Sequence, residues 1–245
     1  MLDVLNYLPK KYSNVAVSLM GTDEKEILAH LSEILTLQCD VIEWRLDYFA
    51  LFTNVEKVLA LYKSISAELN KTKLLLTLRT TREGGRADIS DELYRSLIKD
   101  YLLFVEPDMI DIEFMRIGAQ NSLQPLLNKL TSLPILSVHQ FNQALTLEEM
   151  TTLVDQMSIS YPNAIYKLAT MPQSFSDVVD MLELSAKNNG ERPLILISMG
   201  NLGKVTRVLT DSMKCVLTFA SIGQSSAPGQ IDLTELKDLL TKLST

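Results

Sequence analysis

Eight short apolar runs recur along the chain, and longer segments with helical spacing separate each run from the next. The first four runs begin at Val15, Asp40, Leu74 and Met109. The second four begin at Pro134, Ala164, Pro193 and Cys215. Such alternation predicts βα units and a parallel sheet. Eight units favour a closed (β/α)8 barrel, because an open doubly wound sheet, which stays the alternative, usually has fewer strands.

The segments between the runs read as helices of one continuous series. Several of them open with a residue suited to helix N-capping, as Asp23, Asp91 and Thr146 do. No Gly/Ser-rich or Pro-rich linker interrupts the series. We therefore predict a single barrel domain over residues 1–245, with the first dozen residues as a short N-terminal extension that covers the barrel floor.

Composition limits the partners of such a barrel. Hydrophobic residues make up 47% of the chain and charged residues 22%, which is typical of a soluble globular protein. The formal net charge of −7 argues against a nucleic-acid partner, and no apolar run approaches the roughly 18 residues of a membrane span. Two cysteines far apart, without a signal-peptide pattern, favour a cytoplasmic location. With two histidines and no paired cysteines, we expect no metal site.

Charged residues interrupt runs that should be apolar on both faces. In the second run, strand alternation puts Glu43, Arg45 and Asp47 on one face. The same period pairs polar positions in later runs, namely Thr77 with Arg79, Asp111 with Glu113, and Ser137 with His139. In a barrel these faces point inward and converge on the mouth at the carboxyl ends of the strands. An internal layer of ion pairs is the structural alternative.

Lys167 and His139 carry the strongest chemical signal. An ammonium inside the apolar run that contains Lys167 is costly unless it is paired or deprotonated. A neutral amine can attack a ketone and form an iminium, which acidifies the adjacent carbon. His139 lies near the end of the preceding run, so neighbouring strands would bring the two together, and an imidazole can move a proton beside an iminium. A paired structural lysine and a satisfied core histidine are the plainer interpretations, and His30 looks structural.

Two loops follow runs at the predicted catalytic end. The segment SIGQSSAPGQI after the last run is rich in turn residues and could close over a ligand or be an ordinary surface loop. The segment TREGGRAD after Arg79 contains a paired-glycine turn, and its Glu83 could lean toward the pocket. The segment MGNLGK lacks both nucleotide-binding spacings, so no nucleotide cofactor is expected.

Motifs across essentially the whole chain resemble the type I 3-dehydroquinate dehydratase family. In order, they are VSLMG, EWRLD, LRTTREGG, SVHQF, YKLA, and TFAS with SAPGQ. The resemblance implies a (β/α)8 barrel that removes water from 3-dehydroquinate by reversible syn elimination to give 3-dehydroshikimate. It implies no metal or organic cofactor, and it implies a homodimer.

The resemblance also implies residue roles. Lys167 corresponds to the imine-forming lysine, His139 to the general acid and base, and Glu83 to the carboxylate that orients this histidine. Arg207 would hold the substrate carboxylate. The implied substrate contacts are Ser18, Glu43, Arg45, Arg79, Arg207, Ser226 and Gln230, with Met199 and Phe219 as apolar wall residues. The roles of Asp111 and Glu113 stay open.

The residues by themselves leave two other functions open. Class I aldolases and transaldolases also place an imine-forming lysine on a barrel strand. A catalytically silent barrel that binds a shikimate-like anion is the alternative of a different class. Carbon–carbon bond cleavage would favour the aldolase, and tight binding without turnover would favour the silent barrel.

Overall fold

The computed structural model describes residues 7–117, 123–129, 131–223 and 226–243. Within these residues it contains nine parallel strands. They are β1 (Asn14–Leu19), β2 (Val41–Arg45), β3 (Lys73–Thr77), β4 (Met109–Glu113), β5 (Leu133–Gln140), β6 (Ile165–Thr170), β7 (Leu194–Ser198), β8 (Leu217–Ser221) and β9 (Ile231–Asp232). β9 is a two-residue addition beside β8 that the sequence pattern did not predict.

The sheet curls into a closed barrel. Strands β1 to β7 pair in sequence order, and β1 pairs on its other side with β8. The ring closes between β7 and β8 through a parallel bridge of Leu194 with Cys215, where Val216 N donates to Leu194 O at 2.9 Å. The predicted (β/α)8 barrel is confirmed, and the doubly wound alternative is wrong because its sheet would stay open.

Helices follow the strands on the outside of the ring. They are α1 (Glu24–Leu37), α2 (Val55–Glu68), α3 (Asp91–Asp100), α4 (Phe114–Ile117), α5 (Gln124–Leu127), α6 (Leu147–Ser160), α7 (Phe175–Asn188), α8 (Lys204–Val208) and α9 (Leu233–Leu243). Asp23 and Thr146 cap α1 and α6 as predicted, and each accepts a backbone N–H of the first turn. The cap of α3 is Ser90 rather than Asp91, and a π-helical turn at Tyr101–Val105 extends that helix.

Alternation along the strands separates two apolar layers. One set of residues packs under the helices, with Trp44 and Ile42 among its fully buried members. The other set fills the barrel interior near the amino ends of the strands and includes Val41, Leu75 and Ile165. Leu8 packs with this inner set, so residues 7–12 lie at the predicted position below the barrel, whereas residues 1–6 lie outside the described residues.

Three strands end earlier than the sequence pattern predicted. β3 ends at Thr77, because Thr80 N donates to the carboxylate of Glu113 at 2.7 Å rather than to a neighbouring strand. β2 ends at Arg45, and Asp47 lies in a 3₁₀ turn at Leu46–Tyr48. β4 ends at Glu113, where α4 begins. Just beyond β3, a side-chain carboxylate thus takes the place of a ladder partner.

No helix among residues 7–117, 123–129, 131–223 and 226–243 has the length and apolarity to cross a membrane.

Candidate active site

A cavity opens at the carboxyl ends of the strands and contains about 500 Å³ of empty space, which includes part of the open solvent at its mouth. Every predicted site residue except Ser18 lines it. Ser18 lies just behind the wall, where its hydroxyl contacts both Glu43 and Ser226. Catalytic sites of β/α barrels occupy this face, because the loops and strand ends that converge there can change without disturbing the core.

Lys167 extends from the middle of β6 into the cavity. Its side chain is 5% exposed, and Nζ lies 3.1 Å from Oδ2 of Asp111. On its other side, Nζ lies 4.4 Å from the centroid of the Phe219 ring. A carboxylate and an aromatic face thus lie against Nζ, and contacts of both kinds stabilise a positive charge at a buried nitrogen. Asp111 is the main functional candidate whose role the sequence pattern left open.

Asp111 joins Lys167 to Arg79. Its Oδ1 lies 2.7 Å from Nη2 of Arg79 and accepts the hydroxyl of Ser137 at 2.6 Å. Burial by itself would raise the pKa of Asp111, but the charges of Arg79 and Lys167 outweigh it and hold the pKa below its ordinary value. Asp111 therefore stays ionised.

His139 is held by Glu83. Nδ1 of the ring lies 2.8 Å from Oε2 of Glu83, and the same oxygen accepts the backbone N–H of His139 at 3.1 Å. Glu83 ends a 3₁₀ turn and is followed by Gly84 at φ +78°. The positive φ favours glycine at this position. A Cβ atom at Gly84 would also lie only 2.3 Å from the ring of Phe141.

Burial is the main cause of the titration behaviour of this pair. It raises the pKa of Glu83 to about 8, a rise that Arg79 opposes and that Glu113 and Asp111 reinforce. It lowers the pKa of His139 well below the usual value, and Arg79, Lys167 and Arg45 lower it further. The two pKa shifts have opposite directions but the same main cause, because burial disfavours the charged form of each side chain.

Arg207 on α8 faces the cavity. It is 1% exposed, and among the described residues it forms no ion pair with a carboxylate. Its Nη atoms donate to the backbone oxygens of Phe219 and Pro228 at 3.3 and 3.2 Å, and its Nε has no partner there. Burial lowers the pKa of Arg207 to about 10. A buried, incompletely satisfied guanidinium is a strong site for an anionic ligand.

Glu43 offers the opposite chemistry at the other wall. Its carboxylate accepts the hydroxyls of Ser18 and Thr77 at 2.7 and 3.1 Å. Both of these contacts come from hydroxyl groups, so the Glu43 carboxylate can also accept a hydrogen bond from a ligand hydroxyl.

Arg45 is held by contacts with Asp47 and with the ring of Tyr48. Asp47 receives two hydrogen bonds from its guanidinium, both at 2.8 Å, and also accepts the backbone N–H of Arg86. The centroid of the Tyr48 ring lies 5.3 Å from the guanidinium carbon of Arg45 and 3.9 Å from that of Arg86. The sequence pattern put Asp47 on the charged inner face, and the structure gives it this supporting position beyond the end of the strand.

The last loop lies across the mouth in its described part, residues 226–230. Ser226 Oγ lies 2.9 Å from Ser18 Oγ, and the backbone N–H of Ser226 donates to Gln230 at 2.9 Å. Gly200 N donates to Pro228 O at 3.2 Å, and a side chain at Gly229 would clash with the Gly200 carbonyl at 2.3 Å. Gln224 and Ser225, which belong to the predicted lid segment, lie outside the described residues.

Sequence reasoning missed several residues that shape the cavity. Thr77 and Ser137 were noted only as inward polar positions, yet they position Glu43 and Asp111. The lining also contains Gly84, Phe141, Ile197 and Ala227, together with Ala169, which strand alternation puts on the same inward face as Lys167. The period of two could have found Ile197, but the loop residues carry no pattern that predicts where they fold. In the described part of the chain, no three His, Cys, Asp or Glu residues are grouped to hold a metal ion.

The closed barrel and the buried lysine, histidine and arginine at its carboxyl mouth define a β/α-barrel enzyme. The family model for type I 3-dehydroquinase matches residues 15–245. The chain therefore belongs to the type I 3-dehydroquinase family, as its motifs predicted.

Relatives support the same assignment. The 3-dehydroquinate dehydratase of Clostridium kluyveri is 35% identical over 236 residues, which cover 94% of this chain and 92% of the relative. The crystal structure of 3-dehydroquinate dehydratase from Geobacillus kaustophilus superimposes with a TM-score of 0.89 at 27% identity, covering 97% of this chain and 93% of that one. The type I enzyme from Clostridium difficile, solved with covalently modified comenic acid, gives 0.87 at 29% identity, covering 96% and 94%. The predicted enzyme class is confirmed.

Proposed function

We propose that this enzyme dehydrates 3-dehydroquinate to 3-dehydroshikimate through an imine on Lys167, with His139 as general acid and base. The observation that carries the proposal is the arrangement of three groups in one cavity. Lys167 pairs with Ser137 in the β5–β6 ladder, so His139 lies one inward position further along the neighbouring strand. Arg207 faces the same cavity. A nucleophile, a proton carrier and an anion site thus face one bound molecule.

The steps follow from these groups. The neutral amine of Lys167 attacks the ketone carbon to give a carbinolamine, whose hydroxyl takes up one proton from solvent and leaves as water, so that an iminium forms. His139 removes a proton from the adjacent carbon, and the bonding electrons move to the iminium nitrogen to form an enamine. The enamine electrons return and expel the β-hydroxyl, which takes the proton from His139 and leaves as water. Water then hydrolyses the conjugated iminium and frees the product and Lys167.

Substrate contacts are assigned by charge. Arg207 would bind the carboxylate of 3-dehydroquinate, since it is the cavity guanidinium without an acidic partner in the described residues. Glu43 would accept from a ring hydroxyl, with Arg45, Arg79, Ser226 and Gln230 as further polar contacts. Met199 and Phe219 would form the apolar wall.

Exchange of Arg207 for Gln is expected to raise KM by roughly 10- to 100-fold, since a charged hydrogen bond contributes about 1.5–3 kcal/mol. Steady-state kinetics with 3-dehydroquinate would measure the change. Arg192→Gln is the matched control, because Arg192 pairs with Asp155 outside the cavity at 2.6 Å. An unchanged KM in Arg207→Gln would remove the carboxylate assignment.

Activity is expected to rise with pH up to about 8, because Glu83 must lose its proton before it can accept Nδ1–H of His139. Only then does Nε2 carry the lone pair that a general base needs. In Glu83→Gln the side chain at position 83 no longer titrates. The lowered pKa of His139 then sets the acid limb of the pH profile. The acid limb of kcat/KM should therefore move to lower pH, with a smaller plateau rate. If the acid limbs of the native enzyme and of Glu83→Gln coincide, the proposed role of Glu83 as the partner of His139 is wrong.

Intact mass after 3-dehydroquinate and borohydride tests the proposed function, with near-ultraviolet absorbance followed in a parallel sample for the conjugated product. A single lysine-linked adduct together with new absorbance is the expected result. An adduct without the new absorbance would indicate that an imine forms but that a different product is released, as in an aldolase. Binding with neither signal would leave a catalytically silent barrel.

The remaining expectations rest on the family resemblance and on composition. We propose a homodimer, a single barrel domain over residues 1–245, a cytoplasmic location and no nucleic-acid partner. Light scattering after size exclusion would decide the oligomeric state, and a monomer at working concentration would refute the first of these.

A further inference from the structure

The nitrogen of Lys167 has one carboxylate against it among the residues that the structure describes. Oδ2 of Asp111 lies 3.1 Å from Nζ, and the opposite side of Nζ faces the Phe219 ring at 4.4 Å. The two groups bracket the atom that becomes the imine nitrogen. Asp111 comes from β4, two strands away from Lys167, with Ser137 of β5 between them.

Asp111 has contacts that do not involve Lys167. Its Oδ1 accepts from Ser137 at 2.6 Å and lies 2.7 Å from Nη2 of Arg79. Arg79 Nη1 also donates to Ser137 at 3.1 Å, so the three side chains form a closed ring of contacts. With Oδ1 engaged by Ser137 and Arg79, the other oxygen, Oδ2, is the one that faces Nζ of Lys167.

The imine that forms on Lys167 must be protonated to react, and the Asp111 carboxylate lies beside its nitrogen. An imine withdraws electrons from the adjacent carbon only when its nitrogen carries a proton, because the neutral form is a poor electron sink. A cation in a dry cavity is costly without a counter-ion. We propose that Asp111 is a positioning residue that keeps the Lys167 imine protonated by acting as its fixed counter-ion. This inference rests on the function proposed above.

Other charged groups around the cavity are already engaged or lie against different atoms. Glu83 contacts His139 and Arg79, and Glu43 accepts from two hydroxyls. The charged and titratable groups that line the cavity besides Lys167 are Glu43, Arg45, Arg79, Glu83, His139 and Arg207. The positive charges among them favour loss of the imine proton, which increases the need for Asp111.

Asp111→Asn removes the charge and keeps an oxygen that can accept from Nζ. We expect the alkaline limb of kcat to move to lower pH by roughly one to three units, since an opposite charge at this distance has an effect of that size. Sodium cyanoborohydride, which reduces protonated imines selectively, provides the direct measurement. With 3-dehydroquinate present, adduct formation in intact-mass spectra should fall off at lower pH in Asp111→Asn than in the native enzyme.

Glu113→Gln is the matched control. Glu113 lies on the same strand, is fully buried and pairs with Arg79 at 3.3 Å, but no contact with Nζ of Lys167 is among its described interactions. Loss of this charge should leave the alkaline limb where it is in the native enzyme. An equal shift in both variants would mean that general loss of negative charge, and not the counter-ion, is responsible, and would overturn the inference.

Ser137→Ala provides a second route if Asp111→Asn does not fold. It keeps every charge and removes only the hydroxyl that anchors Oδ1, so a smaller shift in the same direction is expected. If the native enzyme forms no adduct, the proposed function itself fails. If the native enzyme forms the adduct but neither variant shifts the alkaline limb, only the role of Asp111 is overturned.

Discussion

Lys167→Ala is expected to abolish turnover while the barrel stays folded. The variant loses the amine that forms the covalent bond, and removal of a catalytic nucleophile typically costs a factor on the order of 10⁴ to 10⁶ in kcat. The fold should persist, because Asp111 keeps its contacts with Arg79 and Ser137 after the lysine is shortened. Absorbance of the conjugated product gives the rate, and circular dichroism reports the fold.

The matched control is Lys73→Ala at the opposite end of the barrel. Lys73 begins β3, where its Nζ lies 4.5 Å from the Tyr7 ring, far from the catalytic mouth. This variant should turn over normally and should still give the borohydride adduct. A Lys167→Ala protein with a normal rate would end the imine mechanism.

His139→Ala is expected to slow turnover by about 10²- to 10⁴-fold, the usual contribution of a general acid and base. Lys167 remains in place, so imine formation can still occur while the proton transfers that follow are impaired. The covalent intermediate should therefore accumulate during slow turnover. Intact mass without any reductant, taken at intervals after mixing, would detect it.

His30→Ala is the control for this experiment, because the chain has only two histidines. His30 lies on α1 and contacts the backbone of Met20 through Nδ1. Its loss should leave the rate near that of the native enzyme. If His139→Ala slows turnover but no adduct ever accumulates, His139 also governs imine formation, and its role as proposed is incomplete.

Local pattern was enough to predict the barrel and the inward polar side chains of its strands, whereas Arg207, Ser226 and Gln230 were expected only from the family resemblance. A strand residue alternates between two faces, so the inward direction of Glu43, Asp111 and Lys167 follows from counting. The same period cannot say where a strand ends. Arg79 lies two residues beyond β3, and its reach into the cavity depends on Glu113 and Asp111 of the next strand.

Periodicity could not predict pairing between distant residues, and the pair of Glu83 with His139 was expected only from the family resemblance. The contacts of Glu83 with His139, of Asp111 with Lys167 and of Ser18 with Ser226 join residues 56, 56 and 208 positions apart. Such contacts depend on the closure of the barrel and on the conformation of its loops, and neither of these produces a periodic pattern in the sequence. The same holds for β9, whose pairing with β8 exists only after the last loop has turned back.

By itself, the amino-acid sequence determined the order of strands and helices, the polar inner face and the presence of a lysine and a histidine on neighbouring strands. These features follow from side-chain polarity and from the fixed period of a strand. The tertiary structure decided which charges are neutralised and which remain for a ligand: Asp111 is shared between Lys167 and Arg79, whereas Arg207 has no acidic partner within the described residues. Such a choice depends on distances of about 3 Å between atoms that only a closed barrel brings together.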